Sequence, residues 1–394
     1  MLNKWRKALT STHNSPGIFA QCGLTPQQFL AGYWQKKPLL IPQAFPAFNP
    51  LLDADDIAGL ACEELAESRL ITGSYPEHDW KIRYGPFSER DFSRLPENNW
   101  TLLVQDVEKH YPPLSGLMRA FDFIPRWRID DLMVSVAGPG GSVGPHVDQY
   151  DVFLLQAAGS RTWQIAEHFN EALLPDCDLN VLQSFESEQE WALNAGDMLY
   201  LPPGIAHHGT AVGPGMTWSI GMRAPSAADL YQAFSEWAAE QPDDGGRYRD
   251  PDLAVTERDG EISAQALTQL REFFQSSGTA NPAFVTFLGE FLSSYRLAHQ
   301  PAPPDITYSP DRLASTLRRD AVLRQNPWSR LLWLQDIDGA LLFAAGSSFC
   351  CSVSLAESIC DPQRLGKLGP GLERSESELI CKLLNLGHLF IEQL

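Results

Sequence analysis

The chain has 394 residues, a hydrophobic fraction of 44%, a charged fraction of 20% and a formal net charge of −19. This length allows two or three domains, and no run approaches the roughly 18 apolar residues that a membrane-spanning helix requires. So acidic a surface disfavours nucleic acid and anionic membranes and would attract a basic protein, although charge that serves only solubility gives the same composition.

The N-terminus and the cysteines indicate the compartment. The basic stretch Lys4–Lys7 is followed by a segment too short and too polar for the apolar part of a signal peptide. The seven cysteines are scattered and include no C-x-x-C pair, so they predict reduced thiols rather than a zinc cage or a disulfide framework. A cytoplasmic protein is expected.

Short helices and turns begin the chain, and strands dominate its middle. Thr25 followed by Pro26 predicts one capped helix, and Asp53 predicts a second. From Leu70 to Arg223 the predicted strands are short, rich in aliphatic, β-branched or aromatic residues, and often bounded by Gly or Pro. They lie at 100–105, 132–137, 152–157, 162–166, 197–201 and 216–222. This pattern is typical of a β-sandwich or barrel.

The pattern changes after Ala224-Pro225. Helices are predicted from Ser226 onward, at about 263–276 and 283–298, and then, after a stiff Pro-rich linker, at 309–319. Segments 331–335 and 340–344 flank a hairpin turn, and a last helix is predicted from about 375 to 394. We expect three parts: 1–225, with a core at about 100–225; a helical region at 226–300; and a winged-helix module at 301–394.

His146-Val147-Asp148, followed by His207, is the strongest chemical signal. Residues two apart on a strand point the same way, so His146 and Asp148 can bind one metal ion. The motif G-D-x-L-Y-L-P-P-G-x-x-H then delivers a second histidine. His208 is the alternative, but the position after the Pro-Pro-Gly turn favours His207. Two histidines and one carboxylate form the ligand set of a mononuclear non-haem iron(II) site.

These motifs resemble those of the JmjC-domain oxygenases, and more closely those of the bacterial ribosomal oxygenases. The residues that carry the resemblance are Trp127–Met133, His146–Phe153 and Leu199–Gly204. The resemblance runs from about Gly32 to Arg223 and continues more loosely to the C-terminus. It implies an α+β fold built on a double-stranded β-helix, with a helical dimerisation region and a C-terminal winged helix. It also implies hydroxylation of an arginine side chain in ribosomal protein sixteen of the large subunit.

The resemblance assigns roles to particular residues. His146, Asp148 and His207 would hold Fe(II), with O2 and 2-oxoglutarate as cosubstrates. Arg161 occupies the position of the basic residue that binds the distal carboxylate of 2-oxoglutarate; many animal relatives have Lys there, but an Arg can make a bidentate contact. Ser135 and Ser219, on strands expected to line the same barrel, are further candidates for cosubstrate contacts.

A substrate arginine requires acidic or hydroxyl partners near the metal. Asp130, Asp131 and Asp151 are the acidic candidates, and Tyr150 is expected to pack along the aliphatic stem of the arginine. Asp130 and Asp131 are equally compatible with structural capping roles. No catalytic protein residue is expected beyond the metal centre.

Two other functions are compatible with parts of the sequence. One is a cupin-type metalloenzyme that does not use 2-oxoglutarate, which Arg161 disfavours. The other is a non-catalytic regulator that binds DNA through the winged helix, which the net charge disfavours. We therefore expect the winged helix to contact protein or to be structural. The apolar side chains at 226–298 predict a homodimer interface, with packing inside the chain as the alternative.

Overall fold

The computed structural model describes residues 17–241, 247–251, 262–277, 283–318 and 321–393. The expected absence of a signal peptide concerns residues that lie outside these ranges. The chain divides into two compact units, Met1–Ala224 and Pro225–Leu394. In the part of the chain that the structure describes, no helix has the length and apolar character needed to cross a membrane.

Two helices of the first unit begin at side chains that satisfy free backbone N–H groups. Thr25 and Gln28 form reciprocal bonds at the start of α1 (Pro26–Gly32), and Asp53 and Asp56 do so at α2 (Ala54–Leu60). Three shorter helices follow: α3 (Glu89–Phe92), α4 (Val107–His110) and α5 (Ser115–Met118). Both capped helices were predicted from the sequence.

The strands of the first unit form two antiparallel sheets. They are β1 (Leu39–Ile41), β2 (Ser68–Thr72), β3 (Lys81–Tyr84), β4 (Trp100–Val104), β5 (Ile129–Ala137), β6 (His146–Val147), β7 (Val152–Ala158), β8 (Ser160–Ala166), β9 (Gln189–Asn194), β10 (Met198–Leu201), β11 (Ala206–Ala211) and β12 (Gly215–Met222). One sheet has the order β1-β10-β7-β12-β5-β4-β2-β3, and the other has the order β6-β11-β8-β9.

Side-chain alternation places the functional face between the two sheets. In the larger sheet, residues such as Val134 and Trp218 pack outward against the helices and the N-terminal segment. Their neighbours in sequence point the other way, so Leu154 of β7 meets Trp163 and Ile165 of the smaller sheet in a second apolar cluster. This arrangement confirms the predicted double-stranded β-helix.

The second unit contains helices followed by a winged-helix fold. Its helices are α6 (Ala227–Glu240), α7 (Ala264–Ser277), α8 (Ala283–Ser294), α9 (Pro310–Leu317), α10 (Val353–Cys360), α11 (Pro362–Leu365) and α12 (Arg374–Asn385). Its strands are β13 (Ala321–Gln325), β14 (Leu331–Asp336), β15 (Gly339–Ala344), β16 (Ser347–Cys351) and β17 (Leu389–Gln393). The predicted hairpin is present as β14 and β15, and β16 extends it.

Two features of this unit differ from the expectations. α8 falls in the expected helical region, but it packs on the β14–β16 sheet. The ring of Phe343 lies so close to Gly289 that a Cβ atom there would meet it at 2.2 Å. The predicted helix from 375 to 394 is too long: it ends at Asn385, because Gly387 adopts a left-handed conformation with φ +81°. The remaining residues form β17, which pairs with β13.

Candidate metal centre and its surroundings

The structure brings His146, Asp148 and His207 together. Each offers one ligand atom, and these atoms all lie within 4.8 Å of one another. β6 and β11 pair so that His146 and His207 stand opposite each other, with ring centroids 4.2 Å apart. Nε2 of His207 lies 3.6 Å from a carboxylate oxygen of Asp148. Among the described residues this is the single group of three metal-ligating side chains.

Both histidines are oriented in the same way. Nδ1 of His146 lies 2.9 Å from the carbonyl oxygen of Gly144, and Nδ1 of His207 lies 3.0 Å from that of Ile205. A carbonyl can only accept a hydrogen bond, so Nδ1 carries the proton and Nε2 keeps its lone pair for a metal ion. Burial, and next the neighbouring His146, lower the pKa of His207 to about 4, so it is neutral at physiological pH.

Asp148 is held from two sides. Its backbone carbonyl accepts a hydrogen bond of 2.9 Å from the N–H of Gly204, which lies in the turn before β11 and has φ +83°. Its carboxylate accepts a hydrogen bond from the hydroxyl of Tyr150. Burial and the charge of Asp148 raise the pKa of Tyr150, so its hydroxyl stays protonated and remains a donor. Two oriented imidazoles and one such carboxylate fit the donor set of an iron(II) site.

His208 lies on the other face of β11. Its ring makes edge contacts with Tyr75 and Phe185, at centroid distances of 5.5 and 6.1 Å. Burial, and next the charges of His146 and Arg161, lower the pKa of His208 to about 4. The geometry therefore favours His207 over His208 as the third ligand.

Arg161 is a buried cation on β8. It is 5% exposed, and its guanidinium carbon lies 5.6 Å from the ring centroid of Trp163. No carboxylate of the described residues lies within ion-pair distance of it. Burial lowers its pKa to about 10, so it is still charged at neutral pH. An unpaired buried cation is costly, and an anionic ligand would offset that cost.

Trp163 connects Arg161 to the metal-ligand cluster. Its ring centroid lies 5.9 Å from that of His207. The ring covers Gly209, where a Cβ atom would meet it at 2.6 Å, so this position requires glycine. A ligand that bridges the cluster and Arg161 would therefore pass along this indole.

The serines predicted as cosubstrate contacts lie on the inner face of the larger sheet. Ser135 donates a hydrogen bond of 3.3 Å to the carbonyl oxygen of Thr217, and Ser219 is two residues further along β12. The sequence reasoning missed their neighbours. Thr217 is buried and donates a hydrogen bond of 2.9 Å to Gln156 on β7. The signal was present as single polar residues at inward positions of otherwise apolar strands.

Asp151 lies inside the protein, which disfavours its predicted role as a substrate contact. Its side chain is fully buried, and its oxygens accept hydrogen bonds from Gln35, Arg128 and Tyr200. Tyr200 was not predicted to have a role near the site, because it belongs to an otherwise apolar, buried strand.

The other predicted substrate contacts occupy different environments. Asp130 is paired with Arg223 at 2.8 Å. Asp131 follows it on the opposite face of β5. Burial and Asp148 are the main causes of the raised pKa of the Tyr150 hydroxyl, and the charge of Asp131 adds to them. Tyr150, which is bonded to the metal ligand Asp148, and Asp131, whose charge acts on Tyr150, are the candidates that remain.

A buried acidic cluster lies behind Asp131. Asp131 accepts a hydrogen bond from the N–H of Asp106, and Glu108 accepts one from that of Leu132. Lys109 is bonded to Asp106 and lies 3.9 Å from Glu108. Burial, followed by the charge of Asp130, raises the pKa of Asp131 to about 7. Burial, partly offset by Lys109, raises that of Glu108 to about 8.

The fold and this cluster define a JmjC-type oxygenase. A JmjC domain model matches residues 116–230, and a ROXA-like winged helix model matches residues 279–390. The chain is 37% identical over 309 residues to the Ribosomal protein uL16 3-hydroxylase of Escherichia coli, covering 78% of this chain and 82% of the relative. It is 33% identical over 331 residues to a Probable ribosomal oxygenase of Haemophilus influenzae, covering 79% and 80%.

Solved structures give the same assignment. The Escherichia coli ribosomal oxygenase YcfD, in complex with cobalt and 2-oxoglutarate, matches with a TM-score of 0.83 and 33% identity, over 94% of this chain and 98% of YcfD. The chain belongs to the bacterial ribosomal oxygenase family.

Proposed function

We propose that this protein is an Fe(II)- and 2-oxoglutarate-dependent hydroxylase that modifies an arginine side chain of large-subunit ribosomal protein sixteen. The observation that carries the proposal is the pairing of the His146, Asp148 and His207 cluster with a buried, carboxylate-free Arg161. The name of the Escherichia coli relative, a uL16 3-hydroxylase, supports the substrate.

The metal-ligand cluster would bind the metal ion, and Arg161 would bind the cosubstrate. His146, Asp148 and His207 would hold the metal ion. When bound, the iron and 2-oxoglutarate supply an oxidant that places one oxygen atom of O2 in a substrate C–H bond. Arg161 would bind the distal carboxylate of the cosubstrate, with Ser135 and Ser219 lining the same interior.

The protein's other task is to present the substrate side chain. Asp131 would pair with the guanidinium, since arrival of a cation stabilises the ionised form of a carboxyl whose pKa is about 7. Tyr150 borders the metal ligand Asp148 and would line the path of the arginine stem. No side chain is required to act as nucleophile or general base.

The protein's wider interactions follow from the same proposal. A basic ribosomal protein matches the net charge of −19. A ribosomal substrate also supports a cytoplasmic location. In residues 301–394 acidic side chains outnumber basic ones, which supports a protein-contact or structural role for the winged helix rather than binding to nucleic acid. Exposed apolar residues on α6 and α7 support a homodimer.

The test is direct turnover. The purified chain is mixed with Fe(II), 2-oxoglutarate, ascorbate and a peptide from ribosomal protein sixteen, and both succinate and peptide mass are measured. We expect succinate release together with a one-oxygen mass increment on an arginine. Succinate release without peptide oxidation would overturn the substrate assignment, and release of neither would overturn the enzyme class.

A further inference from the structure

Asp151 is a fully buried carboxylate three residues after the metal ligand Asp148. It accepts hydrogen bonds from the hydroxyl of Tyr200 at 2.6 Å, from Nε2 of Gln35 at 2.9 Å and from the guanidinium of Arg128 at 3.1 Å. Its backbone carbonyl accepts a further bond from the N–H of Met222. Asp151 therefore joins four separate parts of the chain.

The contacts continue from Asp151 to the start of β5. Arg128 donates through Nε to the carbonyl oxygen of Arg223 at 2.7 Å, and its own carbonyl accepts a bond from the N–H of Arg223. The guanidinium of Arg223 reaches the carbonyl oxygen of Ile129 and pairs with the carboxylate of Asp130 at 2.8 Å. An unbroken polar chain thus connects the metal-ligand segment with Asp130, the neighbour of Asp131.

We propose that Asp151 is a positioning residue that holds the metal ligand Asp148 and the acidic start of β5 in one fixed geometry. Only two residues separate Asp148 from Asp151. A displacement of Asp151 would therefore also displace the carboxylate of Asp148. Displacement of Arg128 moves Arg223 and with it the backbone of Ile129 and Asp130. The inference rests on the proposed function only for the part of the polar chain near Asp130, where the substrate would bind. The part near Asp148 does not depend on the identity of the substrate.

The negative charge of Asp151 is essential to this role. Its side chain is 0% exposed and faces that of Arg128, which is 16% exposed. Water is therefore a poor substitute partner for the guanidinium. An asparagine has nearly the same shape, but it cannot accept three hydrogen bonds on two carboxylate oxygens while balancing this cation.

The test uses the full-length chain with Asp151→Asn. The first readout is Co(II) affinity and the visible absorption spectrum of the Co(II) protein, which report ligand geometry without turnover. We expect roughly 10-fold weaker Co(II) binding, the lower end of what outer contacts to a metal ligand contribute, and a shifted absorption band. The second readout is peptide hydroxylation, where we expect a higher KM for the peptide together with a lower kcat.

The matched control is Leu114→Ala, a substitution of a buried side chain in the main apolar core that can form no hydrogen bond with the polar chain. It should lower the melting temperature but leave the Co(II) spectrum and affinity unchanged. An Asp151→Asn protein with the wild-type spectrum and Co(II) affinity would overturn the proposal, as would an equal spectral shift in Leu114→Ala.

A second variant keeps the test decisive if Asp151→Asn does not fold. Tyr200→Phe removes a single donor to Asp151 and leaves the ion pair with Arg128 in place. It should shift the Co(II) spectrum in the same direction by a smaller amount, and an unchanged spectrum would contradict the proposal. Because the spectrum needs no peptide, a failure of the proposed substrate would appear as lost turnover beside an intact spectral effect.

Discussion

The imidazole rings of His146 and His207 lie 4.2 Å apart, and each is fixed by a hydrogen bond to the carbonyl oxygen two residues before it. The two strands that carry them pair directly, so the same hydrogen-bond arrangement orients one ring on each of two neighbouring antiparallel strands. Little reorientation is needed for metal binding, because both Nε2 atoms already face the position that the ligands share.

Substitutions should show which of the two adjacent histidines, His207 or His208, binds the metal ion. His207→Ala removes a ligand, so its loss of Co(II) affinity should exceed the roughly 10- to 100-fold effect of an outer contact. His208→Leu removes a ring that packs between Tyr75 and Phe185 on the other face of β11, so Co(II) affinity should be retained. Titration calorimetry measures both; lost binding in His208→Leu alone would reverse the assignment.

Arg161 should control affinity for the cosubstrate and not for the metal. Arg161→Gln removes a charged donor to the distal carboxylate, so the Kd for 2-oxoglutarate, measured on the Co(II) protein, should rise roughly 10- to 100-fold. Co(II) affinity should be unchanged. Arg161→Lys keeps the charge and should lose less affinity. Equal 2-oxoglutarate binding by all three proteins would remove Arg161 from the cosubstrate site.

The metal cluster was predictable from sequence because it depends on local spacing. Two ligands two residues apart on a strand, and a third after a Pro-Pro-Gly turn, leave little freedom. The hydrogen-bond partners of Asp151 were not predictable from the sequence. Its partners Gln35 and Tyr200 lie 116 and 49 residues away along the chain, and only the fold brings them together.

The fold was predicted best where hydrophobic segments are long. The strands at 100–105, 152–157 and 216–222 were found because they are apolar and bounded by turns. β6, with two residues, and β9, with exposed polar side chains, carry no such signal and are defined by their partners in the smaller sheet. The last helix was predicted too long because Leu389–Ile391 continues an apolar pattern that Gly387 interrupts.

The acidic cluster behind Asp131 should make stability depend on pH. The folded-state pKa values of Glu108 and Asp131, about 8 and about 7, lie above the ordinary values of 4.5 and 3.8. The folded state therefore retains protons that the unfolded chain has released. The stabilising contribution is complete below about pH 4, falls as pH rises through the folded values, and is lost above about pH 8.

Glu108→Gln tests this dependence. Glutamine cannot ionise but keeps an oxygen that can accept from the N–H of Leu132. Denaturant unfolding at a series of pH values should show a flatter profile between pH 5 and 8, and an unfolding free energy at pH 8 higher by about 1 kcal/mol or more. The exposed Glu171→Gln serves as control and should follow the wild-type profile. A parallel profile for Glu108→Gln would mean that Glu108 ionises normally in the folded protein.

The proposed homodimer should depend on apolar side chains of α6 and α7. Phe274 on α7 is 71% exposed and Tyr231 on α6 is 68% exposed, and large apolar side chains left open to solvent can mark an interface. Phe274→Glu places a charge where a partner helix would bury it. Light scattering coupled to size exclusion should show a dimer for the wild type and a monomer for this variant.

Ile337→Glu is the matched control, since Ile337 lies at the β14–β15 turn and is 96% exposed. A single apolar side chain at a hairpin tip offers little area for a stable interface, so this variant should keep the wild-type mass. Both variants add one charge to an exposed position and should melt at nearly the wild-type temperature. A dimeric Phe274→Glu protein would move the interface away from α7, and a monomeric Ile337→Glu protein would place it at the β14–β15 hairpin.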